Sequence, residues 1–539
     1  MKIGQQYDVA IVGLGPAGAI AACWLGQAGI KTVVLERSRT IWDIPRAIAL
    51  DHEILRVFQN LGVIDQVLPY TAPFGASEHF GARGQLIRRI DVVPAPYPLG
   101  YPPNIVFSQP PVEKILRERA QAHDSVAIQL GREVTGLTQC EHSVELSTRD
   151  DSGATDVMEA KYVIACDGAS STVRRLLNIA LEDLGFDEPW LVVDLMVNDE
   201  AIARLPSVCA QYCEPARPCT YIIGPGNHRR WEIMLNDGED PRQMESNQRV
   251  GQLLSRWLQP SDARIWRAGS YRFHALVAQH WRSGHVFLAG DAAHQQPPFI
   301  GQGMCQGVRD VTNLCWKLIA VLRSEAGSAL LDTYEQERKQ HVRVLTERIK
   351  EIGTAICARD PEEARRRDEA LLKQGGGQVP VVTRQEIVPP LQCGLLRLEL
   401  SKTAGSIFPQ PWVFTVDGVK RLDDLSGPGW SLVVDGRYSA GSTALHAPGI
   451  ATLVIGGSGL QEKDGVLARW FDTHGCSLAL VRPDHYVYCG LTASDQVERI
   501  WRDIRIAVAA DRLATAAGNN APTGPIQDAT SPPHSSLQL

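Results

Sequence analysis

The sequence predicts an α/β fold in which a parallel sheet flanked by helices carries an inserted, mostly antiparallel sheet and a small C-terminal α/β unit. Three observations lead to this prediction. Near the start, the apolar run YDVAIV passes through a glycine-rich turn into a helical segment. Between about residues 190 and 272 the pattern changes to alternating strands such as LVVDLMVN and RRWEIML. Short strands and one helix, VLARWFDTHG, then occupy residues 412–490.

A chain of 539 residues exceeds what one hydrophobic core supports, so several domains are expected. We expect one domain from residues 1–189 and 273–359, the second part with long helices, interrupted by the sheet at 190–272. Residues 360–390 are charged and then glycine-rich (QGGGQVP), which is typical of a linker. The small unit would occupy 391–514, and the tail at 515–539 has so few apolar residues that it should be disordered.

Composition and charge narrow the class of protein. Hydrophobic residues make up 44% and charged residues 21%, as in soluble globular proteins. A net charge of −7 without a basic block argues against a nucleic-acid partner. The twelve cysteines form no C-x-x-C pair, so we expect reduced thiols and neither a disulfide framework nor a metal site. With no apolar run of membrane-spanning length and no room for a signal peptide, a cytoplasmic monomer or homodimer is expected.

The first chemical motif joins YDVAIV to GLGPAG, a helix and the strand KTVVL. In this order it is a dinucleotide-binding fingerprint. Gly13 makes the tight turn, Gly15 lets a pyrophosphate approach the backbone, and Gly18 lets helix and strand pack closely. Glu36, followed by Arg37, ends the second strand where a carboxylate would bind adenosine ribose hydroxyls. Glu36 favours FAD or NAD over a 2′-phosphorylated nucleotide at this site.

Two later segments repeat the succession of strand, carboxylate and turn. KYVIAC delivers Asp167, and HVFLA delivers Gly290 and Asp291. The second is followed by a loop with Gly301 and Gly303 and then a long apolar-periodic helix. Its glycines would let the backbone approach a flat ring, and the helix start would supply free N–H groups and partial positive charge. The three junctions together predict one cleft for a large polar cofactor.

Two further polar residues precede helices. Arg46 comes shortly before a helix that Asp51 is expected to cap, and is either a surface arginine or a phosphate contact. Gln109 begins another helix, after Ser108, whose N-terminal end could also face the cofactor. The inserted sheet, the natural wall of a substrate pocket, concentrates cations that could equally be solvated strand-end charges: Arg217, His228, Arg229 and Arg230.

These motifs resemble the class A flavoprotein aromatic hydroxylases. The resemblance rests on GLGPAG with Glu36, on CDGASSTVRR, and on GDAAHQQPPFIGQGM with RDVTNLCWKL. It runs from Tyr7 to about Ile349, and the C-terminal unit is similar to the thioredoxin-like appendage of larger members. Within the class, PRAIALDHEILRVFQNLG and QYCEPARPCTYIIGPGNHRRWEIML are similar to segments of the 3-(3-hydroxyphenyl)propionate hydroxylases.

The resemblance implies an FAD site with NADH or NADPH as co-substrate. Gly13, Gly15 and Gly18 would cradle the pyrophosphate, and Glu36 would hold the ribose. The other implied contacts are Arg46 and Gln109 to the pyrophosphate or ribityl chain, Asp167 to FAD and the passing nicotinamide nucleotide, Asp291 to the ribityl hydroxyls, Gly303 and Met304 to the isoalloxazine edge, and Pro297 and Pro298 as the loop beside the flavin.

The implied reaction is hydroxylation of a phenol ortho to its hydroxyl, through a C4a-hydroperoxyflavin and with O2 as oxidant. The expected substrate is 3-(3-hydroxyphenyl)propionate and the product its 2,3-diol. Other phenols of the resorcinol, hydroxybenzoate or polyketide type stay open. So do a flavin dehydrogenase or redox sensor that does not hydroxylate, and a nucleotide-binding protein without flavin.

The residues that would act on the phenol are harder to identify. His228, Tyr221 and Tyr271 are candidates for the base or proton relay from their place in the inserted sheet, but each could instead be structural. His294 follows the Gly290-Asp291 turn and is expected to fix it. Arg217 is the candidate partner for a substrate carboxylate, because a guanidinium offers two parallel donors.

Overall fold

The computed structural model describes residues 6–438, 450–492 and 499–504. The tail expected at 515–539 lies outside these residues, and the unit expected at 391–514 is described only in part.

The strands are numbered in chain order. Up to residue 165 they are β1 (Gln6–Val12), β2 (Thr32–Glu36), β3 (Ala49–Asp51), β4 (Thr71–Pro73), β5 (Ser77–Phe80), β6 (Leu86–Asp91), β7 (Asn104–Phe107), β8 (Val126–Leu130), β9 (Arg132–Gln139), β10 (Val144–Asp150) and β11 (Thr155–Ala165). Those that follow are β12 (Leu181–Val197), β13 (Cys209–Tyr212), β14 (Cys219–Ile223), β15 (His228–Met234), β16 (Ala263–Ala278), β17 (Arg282–Ser283), β18 (Val286–Leu288), β19 (His294–Gln295), β20 (Val381–Thr383), β21 (Trp412–Thr415), β22 (Gly418–Arg421), β23 (Ser431–Asp435), β24 (Ala451–Ile455), β25 (Leu478–Val481) and β26 (Val487–Leu491).

The α-helices range from single turns to the long pair that follows the third junction. They are α1 (Pro16–Gln27), α2 (His52–Asn60), α3 (Ile64–Val67), α4 (Gln109–Gln121), α5 (Thr172–Leu176), α6 (Asp199–Ile202), α7 (Pro241–Met244), α8 (Asn247–Leu254), α9 (Gly303–Leu322), α10 (Asp332–Ile356), α11 (Pro361–Gln374), α12 (Asp423–Ser426) and α13 (Val466–His474).

The first sheet contains five parallel strands in the order β18-β11-β1-β2-β8, of which the sequence predicts all but β8. The apolar runs of β1, β2, β18 and the end of β11 are buried on both faces, which is why they carry almost no alternation, whereas the edge strand β8 is only partly buried. The hairpin of β9 and β10 extends β11 in the antiparallel sense, and β17 closes the other edge. Because the five central strands are parallel, their carboxyl ends all lie at one edge of the sheet.

The second sheet has nine strands in the order β19-β16-β12-β15-β14-β13-β5-β6-β20, and most of its pairs are antiparallel. Its centre comes from the region expected at 190–272, but β5, β6, β19 and β20 come from other parts of the chain. One face packs on the core of the first domain through Trp190, Val192 and Met234. We call this the inner face. The opposite face has its own core, covered by α7 and α8.

Residues 360–390 differ from the expected linker. They form α11, the strand β20 and a 3-10 turn, and β20 pairs in parallel with β6. The charges of α11 lie on a solvated side, while Ala364 and Asp368 are buried against the rest of the protein. The polar composition therefore reflects a one-sided helix, and the glycine run is only a turn.

The C-terminal unit is built on a four-stranded sheet in the order β24-β23-β25-β26. β23 and β24 are parallel, and the other two pairs are antiparallel. Apolar side chains form a separate core on each face of this sheet. The thioredoxin-like assignment of the unit stays a prediction.

Candidate active site

The three strand–turn junctions meet at the carboxyl edge of the parallel sheet. Gly13 donates from its N–H to the Leu35 carbonyl at 2.8 Å, which places the glycine turn beside the end of β2. On the other side the Cys166 N–H donates to Val12 at 2.8 Å, and the Ala289 N–H donates to Ala165 at 2.9 Å. The structure thus brings together the junctions that the sequence placed far apart.

The glycines of the first junction have distinct geometries. Gly13 has a φ of +94°, and a Cβ there would lie 2.5 Å from the Cys166 carbonyl oxygen. A Cβ on Gly18 would lie 2.1 Å from the Gly13 carbonyl oxygen, so only glycine lets α1 pack this closely. Nothing lies within 4 Å of a Cβ built on Gly15. Gly15 therefore leaves space in front of the first turn of α1, as a bound pyrophosphate would require.

Glu36 stands at the end of β2 and closes the same turn. One carboxylate oxygen accepts from the Leu14 N–H at 2.7 Å, and the other accepts from the Ser38 N–H at 2.8 Å. Arg37, predicted to contact the cofactor, is exposed. The position of Glu36 matches that of a ribose-binding carboxylate, and the role of Arg37 stays a prediction.

Asp167 holds the start of the short helix α5, whose N-cap residue is Ser171. Its carboxylate accepts from the Ser171 hydroxyl at 2.6 Å and from the Val173 N–H at 3.1 Å. The buried Arg174 then donates to the Ala292 carbonyl at 2.9 Å, and so fastens the second junction to the third. The position of Asp167 at the strand ends is compatible with the predicted contact to FAD.

The third junction depends on a buried polar network. Asp310, on α9, accepts from the Gly290 N–H at 3.0 Å and lies 2.6 Å from the His294 ring. Arg338 donates to the other Asp310 oxygen at 3.0 Å. Burial alone would raise the pKa of Asp310, but the neighbouring His294 and Arg338 more than offset it and lower the pKa. His294 thus fixes the turn that holds Asp291.

Asp291 lies at the surface of this junction and has a different environment. The surrounding protein displaces enough water to raise the pKa of its carboxyl, an effect that His294 and Arg46 partly offset. Both the Arg46 and the Asp291 side chains are exposed, and the positive charge of Arg46 favours the ionised form of Asp291. Both side chains are therefore placed for a ligand at the carboxyl edge of the sheet.

The loop before α9 makes the predicted approach to a flat ring. The Gly301 N–H donates to the Pro298 carbonyl at 2.7 Å, and Gly301 has a φ of +62°. A Cβ on Gly303 would meet nothing within 4 Å. Gly303 and Met304 begin α9, so their N–H groups have no acceptor within the helix. The open space and the free donors lie at the same helix end.

Gln109 and the inner face of the second sheet hold the loop that carries Arg46. The Gln109 side-chain oxygen accepts from the N–H groups of Arg46 and Ala47 at 3.0 and 2.8 Å. From the sheet, Arg230 donates to the carbonyls of Pro45 and Arg46 at 3.0 and 2.9 Å. The Gln109 side chain thus positions the backbone of Arg46, and its predicted contact to the cofactor stays a prediction.

The candidate catalytic residues of the inserted sheet are scattered. Tyr221 faces the outer core, packs on Trp231 at 4.9 Å between ring centres, and donates to the Pro206 carbonyl at 3.4 Å. His228 lies on the inner face, but its Nε2 is 2.7 Å from the buried carboxylate of Asp194. Neither side chain therefore lies beside the three strand–turn junctions as a free acid or base.

Two other predicted residues also have protein partners. Arg217 forms a two-pronged ion pair with Glu239 at 2.7 and 2.8 Å, away from the strand ends. Tyr271 is 43% exposed on the inner face, and the Arg267 guanidinium lies 4.8 Å from its ring centre. Binding a substrate carboxylate at Arg217 would require displacing Glu239.

The inner face carries a polar row that sequence reasoning missed. Cross-strand register aligns Glu232, Thr220, Gln211, His79 and Arg88 along successive strands. Glu232 is buried, and its nearest ion-pair partner, Arg230, is 3.9 Å away. Burial raises the pKa of Glu232 to about 7. The signal that could have revealed part of the row is strand alternation, because Glu232, Gln211 and Arg88 each lie two residues from a buried apolar residue on the same face, namely Met234, Cys213 and Ile90.

Two kinds of feature are absent from the described residues. They contain no group of three or more His, Cys, Asp or Glu arranged to hold a metal ion. No helix in the described ranges is both long and apolar enough to cross a membrane.

Comparison with known proteins agrees with this geometry. A family model described as "FAD binding domain" matches residues 6–349. A probable NADH-specific resorcinol 4-hydroxylase of Rhodococcus jostii is 35% identical over 499 residues, which cover 90% of this chain and 92% of that protein. A 3-(3-hydroxy-phenyl)propionate/3-hydroxycinnamic acid hydroxylase of Burkholderia cenocepacia is 33% identical over 515 residues, with coverage of 90% and 93%.

Solved structures show the same fold. The flavin-dependent monooxygenase PieE, in complex with FAD and substrate, superposes with a TM-score of 0.78 at 23% identity, covering 94% of this chain and all of that one. Aklavinone-11 hydroxylase with FAD and aklavinone gives 0.77 at 24% identity, with coverage of 94% and 100%. The open space at Gly15 and Gly303, between carboxylates and a helix N-terminus, fits FAD. The chain belongs to the FAD-binding-domain family and is a class A flavoprotein aromatic hydroxylase that uses FAD and a nicotinamide nucleotide.

Proposed function

We propose that the enzyme hydroxylates a phenol ortho to its hydroxyl group, with 3-(3-hydroxyphenyl)propionate as substrate and the 2,3-diol as product. The observation that carries this proposal is the polar row on the inner face of the second sheet. A flavin reductase needs only the three strand–turn junctions that hold the cofactor. A hydroxylase also needs a wall that binds and orients an aromatic substrate beside the flavin. The names of the two relatives support the substrate class, because both name hydroxylated benzene rings.

The cofactor and the protein divide the work. When bound and reduced by NADH, FAD would supply the redox chemistry that activates O2, so that one oxygen atom of O2 goes to the ring and the other leaves as water. The chain's own residues hold that group. The amides around Gly15 and the start of α1 bind the pyrophosphate, Glu36 binds the adenosine ribose, and Asp291 binds the ribityl hydroxyls. The side chain of Gln109 acts through Arg46 rather than on the cofactor.

The start of α9 has an electrostatic role. Its free N–H groups at Gly303 and Met304 favour negative charge at the pyrimidine edge of the flavin, by the helix dipole and by direct hydrogen bonds. The loop of Pro297 and Pro298 shapes the space beside the ring. Phe299 helps exclude water there, since it packs edge-on against Trp190, Phe273 and Phe186 at 5.6, 6.2 and 5.7 Å.

The test is stopped-flow reduction of the FAD-loaded enzyme by NADH, with and without 3-(3-hydroxyphenyl)propionate, followed by product analysis in air. We expect the phenol to accelerate flavin reduction and the 2,3-diol to form in proportion to NADH consumed. Reduction that no phenol accelerates, with hydrogen peroxide as the sole product, would favour the dehydrogenase or redox-sensor alternative. Faster turnover of resorcinol than of 3-(3-hydroxyphenyl)propionate would favour resorcinol as the substrate, as the name of the Rhodococcus relative suggests.

A further inference from the structure

Arg384 is a buried cation without a counterion. It directly follows β20, is 6% exposed, and donates from Nη2 to the Ile300 carbonyl. Its buried Nε has no acceptor. Within the described residues no carboxylate pairs with it, and the nearby Asp51 is already bound by Arg309 at 2.6 Å. A guanidinium has five N–H donors, so one carbonyl leaves most of them for another partner.

A second cation lies in the same neighbourhood. Arg88, at the end of the polar row, lies 3.1 Å from the Nδ1 of His79, and its own Nε is buried without an acceptor. Arg88 and Arg384 both lower the pKa of His79, after burial itself, so this imidazole is neutral at pH 7. The neighbouring Arg367 is different, because Asp368 pairs with it at 2.7 Å. Among the residues that the structure describes, neither Arg88 nor Arg384 therefore has an ion-pair partner.

Such an arrangement is costly unless a ligand completes it. Removing a guanidinium from water costs several kcal/mol, and a single carbonyl and a ring face offset only part of that. Phe74 lies 4.9 Å from the Arg384 guanidinium, which stabilises its position without neutralising its charge. Burial lowers the pKa of both Arg384 and Arg88, and an anion bound close to either guanidinium would oppose that effect.

The position of Arg384 connects this charge to the reaction site. Ile300 and Gly301 belong to the loop that enters α9, and a Cβ on Gly301 would lie 3.7 Å from the Arg384 Nη2. We propose that Arg384, assisted by Arg88, binds the carboxylate of an anionic phenolic substrate beside the flavin loop. This inference rests on the proposed function and refines it, since it selects a phenol with a carboxylate side chain over a neutral phenol such as resorcinol. It also replaces Arg217, whose donors are already used by Glu239.

Binding tests the inference independently of turnover. In the FAD-loaded full-length enzyme, 3-phenylpropionate has the carboxylate but no phenol, and the change in flavin absorbance reports its dissociation constant. We expect Arg384→Met to weaken this binding at least about tenfold, Arg384→Lys to restore part of it, and Arg88→Met to weaken it by a smaller factor. Arg217→Met is the matched control and should bind 3-phenylpropionate like the parent enzyme.

Turnover gives the second measurement. The KM for 3-(3-hydroxyphenyl)propionate should rise about tenfold or more in Arg384→Met, while the KM for neutral 3-ethylphenol changes less than about twofold. Equal effects on both phenols, or 3-phenylpropionate binding that is the same in parent and Arg384→Met enzymes, would show that Arg384 only supports the loop. If the binding difference is found but no phenol is hydroxylated, the anion subsite stands and the proposed function falls.

Discussion

Arg482 and Arg384 are both buried, but the protein completes the hydrogen bonding of only one of them. Arg482, between the C-terminal unit and α10, donates to Glu337 at 2.7 and 3.0 Å, to Asp484 at 2.7 and 3.0 Å, and to the Leu395 carbonyl at 3.0 Å. Arg384, beside the flavin loop, donates to one carbonyl. Full pairing indicates a structural role, and missing partners indicate a place for a ligand.

The same contrast extends to the surrounding regions. At the contact with the C-terminal unit, Arg56 donates to both oxygens of Asp423 at 2.6 and 2.7 Å and to the Phe408 carbonyl at 2.6 Å. On the inner face, the nearest cation that pairs with Glu232 is 3.9 Å away. The C-terminal contact is therefore closed by the protein itself. On the inner face Asp194 is also closely paired, with Arg230 at 2.7 Å, but the neighbouring Glu232 has no ion-pair partner closer than 3.9 Å.

The largest expected effect on stability is at the contact between the C-terminal unit and α10. Arg482→Met would leave Glu337 and Asp484 buried, and among the described residues the one remaining ion-pair partner is Lys317, which donates to Glu337 at 2.9 Å. Breaking a buried pair in this way typically costs about 3–5 kcal/mol. We expect urea unfolding followed by tryptophan fluorescence to show a transition of the C-terminal unit at lower urea than in the parent.

The control for this change is Arg365→Met, since Arg365 pairs with Glu362 and Glu369 on the exposed side of α11. It should leave the urea midpoint close to that of the parent, because exposed pairs contribute little. If Arg482→Met lost as little stability as Arg365→Met, complete hydrogen bonding of a buried arginine would be a poor guide to its structural importance in this chain.

Glu232→Gln is expected to have the next largest effect, and it depends on pH. Burial raises the pKa of Glu232 from its ordinary value of 4.5 to about 7, with Arg230 and Arg267 opposing and Asp194 reinforcing the shift. The stabilising contribution of the protonated carboxyl is therefore fully present below about pH 4.5 and is lost as the pH rises through 7. At pH 8 the neutral glutamine should stabilise the protein by up to about 3 kcal/mol relative to the parent.

Thermal midpoints at pH 5 and pH 8 measure this dependence. The parent should lose more stability between these values than Glu232→Gln does, and Glu214→Gln, which changes an exposed ion pair with Arg256, should follow the parent. An unchanged pH dependence in Glu232→Gln would mean that the carboxylate is solvated or paired in the folded protein.

Gly15 and Gly18 test the same distinction, between a position left open for a ligand and one filled by the protein, with space in the place of charge. Gly15→Ala should leave the unfolding midpoint of the apoprotein unchanged, because its Cβ meets nothing, but should weaken FAD binding at least about tenfold. Gly18→Ala should instead lower the apoprotein midpoint, since its Cβ would overlap the Gly13 carbonyl. Fluorescence titration with FAD and thermal unfolding of the apoprotein separate the two. Equal loss of apoprotein stability in both variants would show that Gly15 is also a packing position.

The sequence predicts the features that depend on neighbours along the chain. The strand, turn and helix order at Gly13, Asp167 and Asp291 is local, and parallel pairing then brings the junctions together without further information. The same holds for Asp51, which caps α2 by accepting from the N–H groups of Glu53 and Ile54 at 3.1 and 3.4 Å. These elements follow from the residues alone.

The features that sequence reasoning missed depend on long-range contacts or on the direction of a sheet face. Alternation shows that Tyr221 and Thr220 point to opposite faces of β14, but it does not say which face meets the flavin domain. The structure places Thr220 on the inner face and Tyr221 in the outer core. Arg384 falls in the segment that the sequence predicts to be a linker, because nothing local to it indicates that β20 joins β6 or that Ile300 is adjacent in space.

The smallest expected effect is at Arg217, where the sequence suggested a substrate contact. Arg217 and Glu239 are only partly buried, with side chains 26% and 18% exposed, so Arg217→Met should cost less than about 1 kcal/mol of stability. Because Glu239 already occupies the guanidinium donors, the KM for 3-(3-hydroxyphenyl)propionate should change less than about twofold. Steady-state kinetics of Arg217→Met and Arg384→Met, measured side by side, make the comparison direct. Both variants remove one positive charge, from a position that is paired with a carboxylate in Arg217 and from one that is not in Arg384. A tenfold rise in KM for Arg217→Met, with none for Arg384→Met, would reverse the assignment and show that a paired arginine in this protein can release its partner to bind substrate.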